Sequence, residues 1–277
     1  MSMIIRLAAI AQTELRVAAR NRWVLSATLI LTLFALALVF PGAAGAQSNV
    51  GILSLGAASL ATLSVYLVPL LALLLSYDCF AGEVERGTMA LILATPVGRW
   101  ELVVGKFLGL LAVLSIATLA GYGIAGVVAG GIYGFDAHGA GAWLRLLATA
   151  MLLGAVFIAI GMAISISTNK TAAAAALSVG VWLVVTVLYD LALLAGLVAD
   201  DGGFFTKKLF ALLVVANPGD AFRLFNLVAL EGGAPVSGID GLANTLPFDP
   251  AYVLVALLLW LLGALGGGLL LIRRLTP

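Results

Sequence analysis

The sequence has little charge and few reactive side chains. Only 10% of its 277 residues are Asp, Glu, Lys or Arg, and 63% are hydrophobic, whereas average globular proteins carry about 25% charged residues. A chain with so few charges cannot cover a water-soluble core. The composition therefore excludes a soluble globular protein and predicts an all-helical, polytopic membrane protein. The net charge of +1 gives no reason to expect a nucleic-acid partner.

Sequence motifs for catalysis are also absent. The chain contains no G-x-x-x-x-G-K-[ST] phosphate-binding loop, no C-x-x-C, no H-E-x-x-H and no G-x-S-x-G. It also lacks the regular arginine series that a voltage sensor requires. An intramembrane enzyme or channel is therefore disfavoured. We expect a non-catalytic subunit with no cofactor of its own.

Six segments are apolar and long enough to cross a bilayer, which takes about 20 residues. They are residues 23–40, 53–77, 107–131, 146–166, 172–196 and 251–272. The first resembles a signal peptide because Ala44-Gly45-Ala46 resembles a cleavage site, but its apolar run exceeds the usual core of about 7–15 residues. We interpret it as a retained helix. Pro69 predicts a kink in the second span, either as a harmless bend or as a gating hinge.

Lysine and arginine set the predicted orientation. If the N-terminus is cytoplasmic, ten of the fourteen Lys and Arg residues fall on the inner side and four on the outer side. Both termini are therefore predicted to face the cytoplasm, with the chain in a bacterial inner membrane. Residues 1–22 are predicted to form a helix along the inner interface, in contact with lipid, or a simple positive-inside anchor. Residues 23–277 form the predicted transmembrane domain.

Ligands for a soft metal are few. The chain has one cysteine, Cys79, and one histidine, His138, and the predicted topology places them on opposite sides of the membrane. One cysteine excludes an internal disulfide and a thiolate cluster within a single chain. The five methionines form no stripe along one helix, although copper(I) favours thiolate and thioether ligands. We therefore expect no metal site within this chain.

A charged insert at residues 78–106 interrupts the apolar sequence. It holds four of the thirteen acidic residues and three of the fourteen basic ones, and uncharged runs at 23–77 and 107–135 flank it. A polar segment between two predicted spans must lie in water at the membrane face, where a soluble protein can bind it. The topology predicts that this face is cytoplasmic.

The apolar residues of this insert predict a short helix within a coupling segment at 79–106. Met89, Ile92 and Leu93 recur at helical spacing. Pro96 ends the helix because proline disfavours helix in the residue before it. A solvated loop is the alternative, but the apolar stripe and the defined end favour a helix along the membrane face.

Two other segments are candidates for contacts with partners. Asn169 and Lys170 lie in a very short loop that joins spans four and five in a tight hairpin, and form a second, smaller candidate docking point. The outer segment at 199–250 contains a helix start at Asn217-Pro218-Gly219-Asp220, with an N-cap, a proline at N1 and an acid at N3. We expect this segment to lie back on the membrane or to bind a periplasmic protein.

Asp190 is an acid near the outer end of the fifth predicted span. An intramembrane acid is a functional candidate by default. However, about 19 residues from Thr171, at roughly 1.5 Å each, already cross most of the hydrocarbon core. We therefore expect Asp190 to reach the outer interface in a structural role, with a functional role as the alternative.

The insert and the N-terminal helix together contain a recognisable pattern: Glu14-Leu15-Arg16, Glu85-Arg86-Gly87-Thr88, Leu91, Pro96, Arg99 and Lys106. The pattern resembles that of ABC-2-type export permeases, and the resemblance covers the whole chain. A narrower set of motifs comprises Arg20-Asn21-Arg22-Trp23, LLSYD at 74–78, LYDLALL at 188–194 and the run from Asn217 to Asn226. These motifs resemble the permeases of nitrous oxide reductase maturation systems, a branch of that family.

The resemblance implies a six-span fold similar to type V exporters, in a homodimer. It implies two cytoplasmic ATPase subunits that hold ATP and Mg²⁺, a periplasmic maturation protein, and a copper chaperone as a further candidate partner. The complex would serve assembly of the copper–sulfide centre of nitrous oxide reductase. The residues assigned to the ATPase-coupling interface are Glu83, Glu85, Arg86, Gly87, Thr88, Met89, Pro96 and Arg99. Those assigned to the periplasmic partner are Asp220, Phe222, Arg223, Phe225 and Asn226.

Three modes of action are open at this point. The chain could transport a small sulfur-containing or copper-related cargo, or export another small or lipophilic substrate. It could also be a mechanical coupler that moves no cargo and relays ATP-driven motion to the periplasmic partner. The scarcity of polar groups within the predicted spans favours the coupler or an apolar cargo.

Overall fold

The computed structural model describes residues 3–20, 22–44, 52–134, 136–200, 203–228 and 251–274. All regular elements in these ranges are helical, which confirms the predicted helical class. The part of the predicted outer segment at 229–250 lies outside the described residues.

Long helices alternate with short helical segments along the chain. The α-helices are α1 (Met3–Arg20), α2 (Arg22–Ala44), α3 (Ile52–Ser76), α4 (Ala81–Glu85), α5 (Thr88–Leu93), α6 (Arg99–Tyr133), α7 (Ala137–Ser167), α8 (Thr171–Trp182), α9 (Tyr189–Asp200), α10 (Phe210–Ala216), α11 (Pro218–Val228) and α12 (Ala251–Leu271). Two π-helical stretches, Leu183–Leu188 and Phe205–Leu209, precede α9 and α10, and a 3₁₀ turn at Ile272–Arg274 follows α12.

Five helical segments in the described part of the chain are long and apolar enough to cross a membrane: Leu53–Glu85, Arg99–Tyr133, Ala137–Ser167, Thr171–Asp200 and Tyr252–Leu271. They make the chain a multi-pass membrane protein. The first predicted span, 23–40, falls within α2, where the apolar stretch found in the structure is the shorter Thr28–Leu38. A membrane crossing by α2, which would bring the number of spans to six, therefore stays a prediction.

The centre of the bundle is the pair α3 and α7. Small residues on α7 allow close packing, because a Cβ at Gly161 would overlap Ser76 of α3 and a Cβ at Gly154 would overlap Leu114 of α6. Large side chains such as Phe157 are fully buried beside them. In contrast, only 17% of the most apolar window is buried in Thr171–Asp200 and in Tyr252–Leu271. These two segments therefore lie at the periphery of the single chain.

The segment from α8 to α9 is irregular at its middle, and side chains from elsewhere bond its backbone. The Asn217 side-chain amide donates to the carbonyl of Val185, within the π-helical stretch, at 2.7 Å. The Trp182 indole of α8 in turn donates to the carbonyl of Tyr66 on α3 at 3.0 Å. The Asn217 amide thus supplies a donor where the regular helical pattern is interrupted, as membrane helices require.

Candidate functional site

Helix α1 lies directly against the start of α6. A Cβ at Gly105 would stand 2.8 Å from Cβ of Ile10, and a Cβ at Gly109 would stand 2.6 Å from Cβ of Glu14. Real Cβ atoms do not approach so closely, so only glycine permits this separation of the two helices. Because α6 begins at Arg99, within the charged insert, α1 becomes part of the same structural unit.

A lysine joins α1, the insert and α6. The Lys106 ammonium, on α6, lies 2.6 Å from Oε1 of Glu14 on α1 and 2.7 Å from Oε1 of Glu83 on α4. Lys106 is only 4% exposed. A buried lysine requires such partners, because an unpaired charge in a low-dielectric environment is strongly disfavoured. The lysine therefore fixes three elements relative to one another.

A second ion pair joins α1 to the first turn of α6. Arg6 donates to Glu101 at 2.6 Å, and Glu101 also accepts from the backbone N–H of Gly98 at 2.9 Å, which caps α6. The hydrogen bond to Glu101 raises the pKa of Arg6 above its usual value. The pair therefore stays ionised and holds the N-terminal part of α1 on α6.

Glu85 connects the insert to the fifth span. Its carboxylate accepts from the backbone N–H of Thr171 at 2.8 Å and also bonds the Thr171 hydroxyl. Thr171 is the first residue of α8, where backbone N–H groups lack helical partners and the helix dipole favours negative charge. Glu85 thus caps α8, and the two predicted docking points, the insert and the loop at Asn169 and Lys170, adjoin each other.

Two further contacts hold the insert to the bundle. The Ser165 hydroxyl, near the end of α7, accepts from the backbone N–H groups of Phe80 and Ala81 at 3.0 and 2.9 Å. The Arg99 guanidinium donates to the carbonyls of Ile272 and Arg273 at 3.2 and 2.8 Å. The insert is therefore bonded to α7 and to the segment after α12 as well as to α1, α6 and α8.

The predicted ATPase-facing residues divide into exposed and internal ones. Arg86, Gly87 and Pro96 are exposed, and Gly87 has a φ of 71°, a left-handed conformation that favours glycine between α4 and α5. The prediction that Met89 contacts the ATPase needs correction. Met89 is 3% exposed and packs into the core, so its side chain offers no surface to a partner.

Glu83 and Thr88 are used within the insert. Glu83 pairs with Lys106 as described, and its backbone carbonyl accepts from the Thr88 hydroxyl at 3.2 Å. The exposed face of α5 is instead made of Ala90, Leu91 and Ala94, and Leu91 is 71% exposed. Helical spacing opposite Met89 was the signal that could have identified Leu91 from the sequence.

A second polar cluster lies where α9, α11 and α3 meet. Arg223 on α11 lies 2.6 Å from Asp220 and 3.5 Å from Asp190 on α9. The Tyr66 hydroxyl of α3 donates to Asp190 at 3.1 Å. Burial raises the pKa of the Asp220 carboxyl above its usual range, Arg223 opposes that rise and Asp190 adds to it. We refer to these four residues as the α11 cluster.

The residues predicted to meet a periplasmic partner need correction. Asp220, Phe222, Arg223 and Asn226 are 1%, 0%, 7% and 5% exposed within the single chain, and Phe225 is half-buried. Asn226 donates to the Thr149 hydroxyl at 2.9 Å. These side chains attach α11 to the bundle and do not form an exposed surface. A partner contact elsewhere in the outer segment stays a prediction.

Asp190 has a structural role in the described part of the chain. It is 9% exposed and paired with Arg223 and Tyr66, and its place at the outer interface stays a prediction. The helix start at Asn217 is confirmed: α11 begins at Pro218, and the Asn217 side chain accepts from the N–H of Gly219 at 2.8 Å.

Comparison with known proteins places this architecture among transporters. The sequence model of the ABC-2 family transporter proteins matches residues 8–274. A protein from Stutzerimonas stutzeri named "Probable ABC transporter permease protein NosY" is 38% identical over 256 residues, which are 91% of this chain and 92% of the relative. A protein of the same name from Pseudomonas aeruginosa is 39% identical over 270 residues, 96% of this chain and 97% of that relative.

Proposed function

The chain belongs to the ABC-2 family of transporter proteins, and we propose that it is the permease subunit of an ABC transporter that serves maturation of nitrous oxide reductase. The two NosY relatives, 38% and 39% identical over almost the whole chain, support this choice within the family. In this proposal the chain acts as a homodimer in a bacterial inner membrane. It spans the membrane six times with α2 as the first span, and both termini are cytoplasmic.

The observation that supports coupling most strongly is the number of elements bonded to the short insert. Lys106, Glu85 and Ser165 join α4 and the turn before it to α1, α6, α7 and α8. A soluble ATPase that pulls on the exposed residues of the insert would move these helices together. The proposed contact surface is Arg86, Gly87, Leu91 and Pro96, with the adjoining loop of Asn169 and Lys170.

ATP and Mg²⁺ would be held by two copies of the separate ATPase subunit, and this chain would have no catalytic role. Closure of the ATPases on ATP binding would shift α4 and α5, and α8 would follow because Glu85 caps its first turn. The motion would pass along α8 to the π-helical stretch at Leu183–Leu188, where Asn217 holds the carbonyl of Val185. Helices α10 and α11 would then move with respect to a periplasmic maturation partner.

Among the modes of action, the buried polar groups favour a purely mechanical role over transport of a polar cargo. Asp190, Arg223 and Asp220 are bonded to one another within the protein, so they do not line an open polar path. The pocket of about 670 Å³ between α7, α8 and α12 is lined by apolar side chains such as Ile164, Leu177 and Trp260. This pocket favours export of a small lipophilic substrate as the alternative. Transport of a sulfur species for the copper–sulfide centre is a further alternative.

The docking proposal is tested with the double variant Glu85→Gln/Arg86→Ala. We expect normal membrane insertion but loss of ATPase co-purification and of permease-stimulated ATP hydrolysis, because the variant weakens the α8 cap and removes exposed charges. Asp78→Asn, in the turn before α4, is the matched control. A double variant that binds and stimulates the ATPase as the native chain does would refute the assigned docking surface.

Transport and mechanical coupling are separated in vesicles that contain the full complex. Labelled sulfide or thiol donors are supplied with ATP, and uptake is measured beside reductase maturation. ATP-dependent uptake supports transport. Maturation without uptake supports the mechanical coupler.

A further inference from the structure

The α11 cluster holds more acid than base in a buried site. Asp190 and Asp220 contribute two carboxyl groups, and Arg223 contributes one guanidinium group. These three residues are 9%, 1% and 7% exposed. If both acids were ionised, one negative charge would remain without a balancing cation in the cluster. Such a charge is strongly disfavoured when water is excluded, and a buried acid then binds a proton instead.

The geometry of Asp220 points to the same requirement. Its Oδ1 accepts from Arg223 at 2.6 Å, but its Oδ2 is buried and has no hydrogen-bond partner in the described part of the chain. The Asp190 and Asp220 carboxyl groups both contact the Arg223 guanidinium, at 3.5 and 2.6 Å, and therefore lie near each other. Two carboxylates repel each other at that range, whereas a carboxylic acid donates to a carboxylate. A proton would therefore satisfy the orphaned oxygen as well as the charge.

Few charged or titratable groups lie on the neighbouring helices in the described part of the chain. Tyr66 of α3 donates to Asp190, and the Tyr189 hydroxyl of α9 donates to the carbonyl of Leu213. Helix α7 contributes Arg145, one turn before the Thr149 that binds Asn226. Helices α10 and α12 contain no charged residue. The charges that act on Asp220 most strongly are those of Arg223 and Asp190.

We propose that Asp220 is a proton-binding site, whose carboxyl group holds a proton beside Asp190 and Arg223 while α9, α11 and α3 are packed together. When α11 separates and water enters, the O–H bond of the protonated carboxyl breaks. The proton then passes to water, and Asp220 stays as a carboxylate. The ligand of this site is the proton itself. The site does not depend on the proposed role in nitrous oxide reductase maturation, because it follows from burial and charge alone.

The sign of the pH dependence follows from the native proton. An aspartate in an unfolded chain titrates at a pKa of about 3.9, so near neutral pH the packed protein holds a proton that the unfolded chain has lost. The proton therefore stabilises the packed form, and this contribution disappears as the pH rises through the native titration. The apparent melting temperature of the purified native chain in nanodiscs should fall as the pH is raised from neutral to mildly alkaline.

The variant Asp220→Asn tests this assignment, because asparagine has the shape of the protonated acid and cannot ionise. We expect the fall in melting temperature above neutral pH to be lost in Asp220→Asn and retained in the control Asp78→Asn at the opposite end of α3. A fall of equal size in Asp220→Asn and in the native chain would overturn the proposal.

Infrared spectroscopy of the native chain gives an answer even if the variant does not fold. A protonated carboxyl group has a C=O stretch that a carboxylate lacks. We expect this band at neutral pH in the native protein, its loss at alkaline pH and its absence from Asp220→Asn. The proposal is overturned if the native protein has no such band. It is also overturned if replacing choline by sodium at constant pH stabilises the native chain without that band, which would make the site a metal-cation site.

Discussion

The insert and the α11 cluster are built from the same ingredients but differ in their exposure to water. At the insert, Glu14 and Glu83 surround Lys106, and their side chains are 17% and 15% exposed. In the α11 cluster, two aspartates surround Arg223, and the Asp220 side chain is 1% exposed. Both cations are buried, Lys106 at 4% and Arg223 at 7% exposed, so the difference lies in their acids. Glu14 and Glu83 keep partial access to water, whereas water cannot replace the contacts of Asp220 while the helices stay packed.

The comparison shows that an ion-pair cluster can allow the helices it joins to shift, or can keep them packed together. At the insert, one buried cation lies between two acids on different elements, and both acids keep partial access to water. One acid can therefore be rehydrated while Lys106 keeps the other as its partner. In the α11 cluster, separation of the helices forces a change in hydration and, by our proposal, in protonation. The insert end is therefore suited to receive motion, and the α11 end is suited to resist motion until enough force is applied.

The largest effect is expected from Arg223→Met, which removes the only cation from the α11 cluster. Two buried acids would then remain, and loss of one partner of a buried ion pair typically costs about 3–5 kcal/mol. The apparent melting temperature of the purified protein should fall steeply. Arg86→Met, an exposed arginine at the insert, should change it little. Equal melting temperatures for the two variants would remove the contrast between the two ends.

Gly109→Ala should have the next largest effect, because it disturbs the packing at the insert without removing a charge. The new Cβ would lie 2.6 Å from Cβ of Glu14 and 2.9 Å from the carbonyl oxygen of Ala11. Overpacking of this kind costs about 1–3 kcal/mol, so α1 should detach and become accessible to protease. Gly123→Ala, on the same helix with no atom within 4 Å of the new Cβ, should be neutral or slightly stabilising. Equal protease resistance of both variants would contradict the close approach of α1 to α6.

Parts of this contrast were predictable from the sequence, and parts were not. Hydropathy alone located the charged insert and five of the helices that can cross the membrane. The pairing of Glu85 with Thr171 and of Tyr66 with Asp190 joins residues 86 and 124 positions apart, and no local pattern encodes such distances. The sequence also contained a signal against the role assigned to Met89, because the apolar stripe that predicted the helix placed Met89 on its buried face.

The misplacement of α11 has a different physical cause. Asp220 and Arg223 stand three residues apart, so they share one face of the helix. A polar face normally indicates contact with water or with a partner protein. It can equally turn inward when a distant acid and hydroxyl are available, as Asp190 and Tyr66 are here. Amphipathicity predicts that a helix has two faces, but not which of them the fold will bury.

A smaller effect on stability is expected from Glu85→Gln, which weakens the hydrogen-bonded contact between the insert and α8. The amide keeps an acceptor for the N–H of Thr171 but loses the charge that interacts with the helix dipole. The expected cost is about 0.3–1 kcal/mol at this exposed position. Hydrogen exchange in the first turn of α8 should become faster. Asp136→Asn, at the cap of α7 where the aspartate accepts from Gly139, is the control and should leave the exchange of α8 unchanged. Unaltered exchange in Glu85→Gln would show that the carboxylate is not the cap of α8.

The smallest effect on stability is expected from Leu91→Ser. This variant separates the effect of the insert on ATPase binding from its effect on stability. Leu91 is 71% exposed, so the substitution should change the free energy of unfolding by no more than about 0.5 kcal/mol. If α5 presents this side chain to the ATPase, the variant should nevertheless bind the ATPase about tenfold more weakly, which corresponds to about 1.4 kcal/mol. Leu212→Ser, on α10 and 62% exposed, should alter neither stability nor ATPase binding. Unchanged ATPase binding in Leu91→Ser would mean that the insert receives motion through other residues, since a buried Met89 cannot supply that contact.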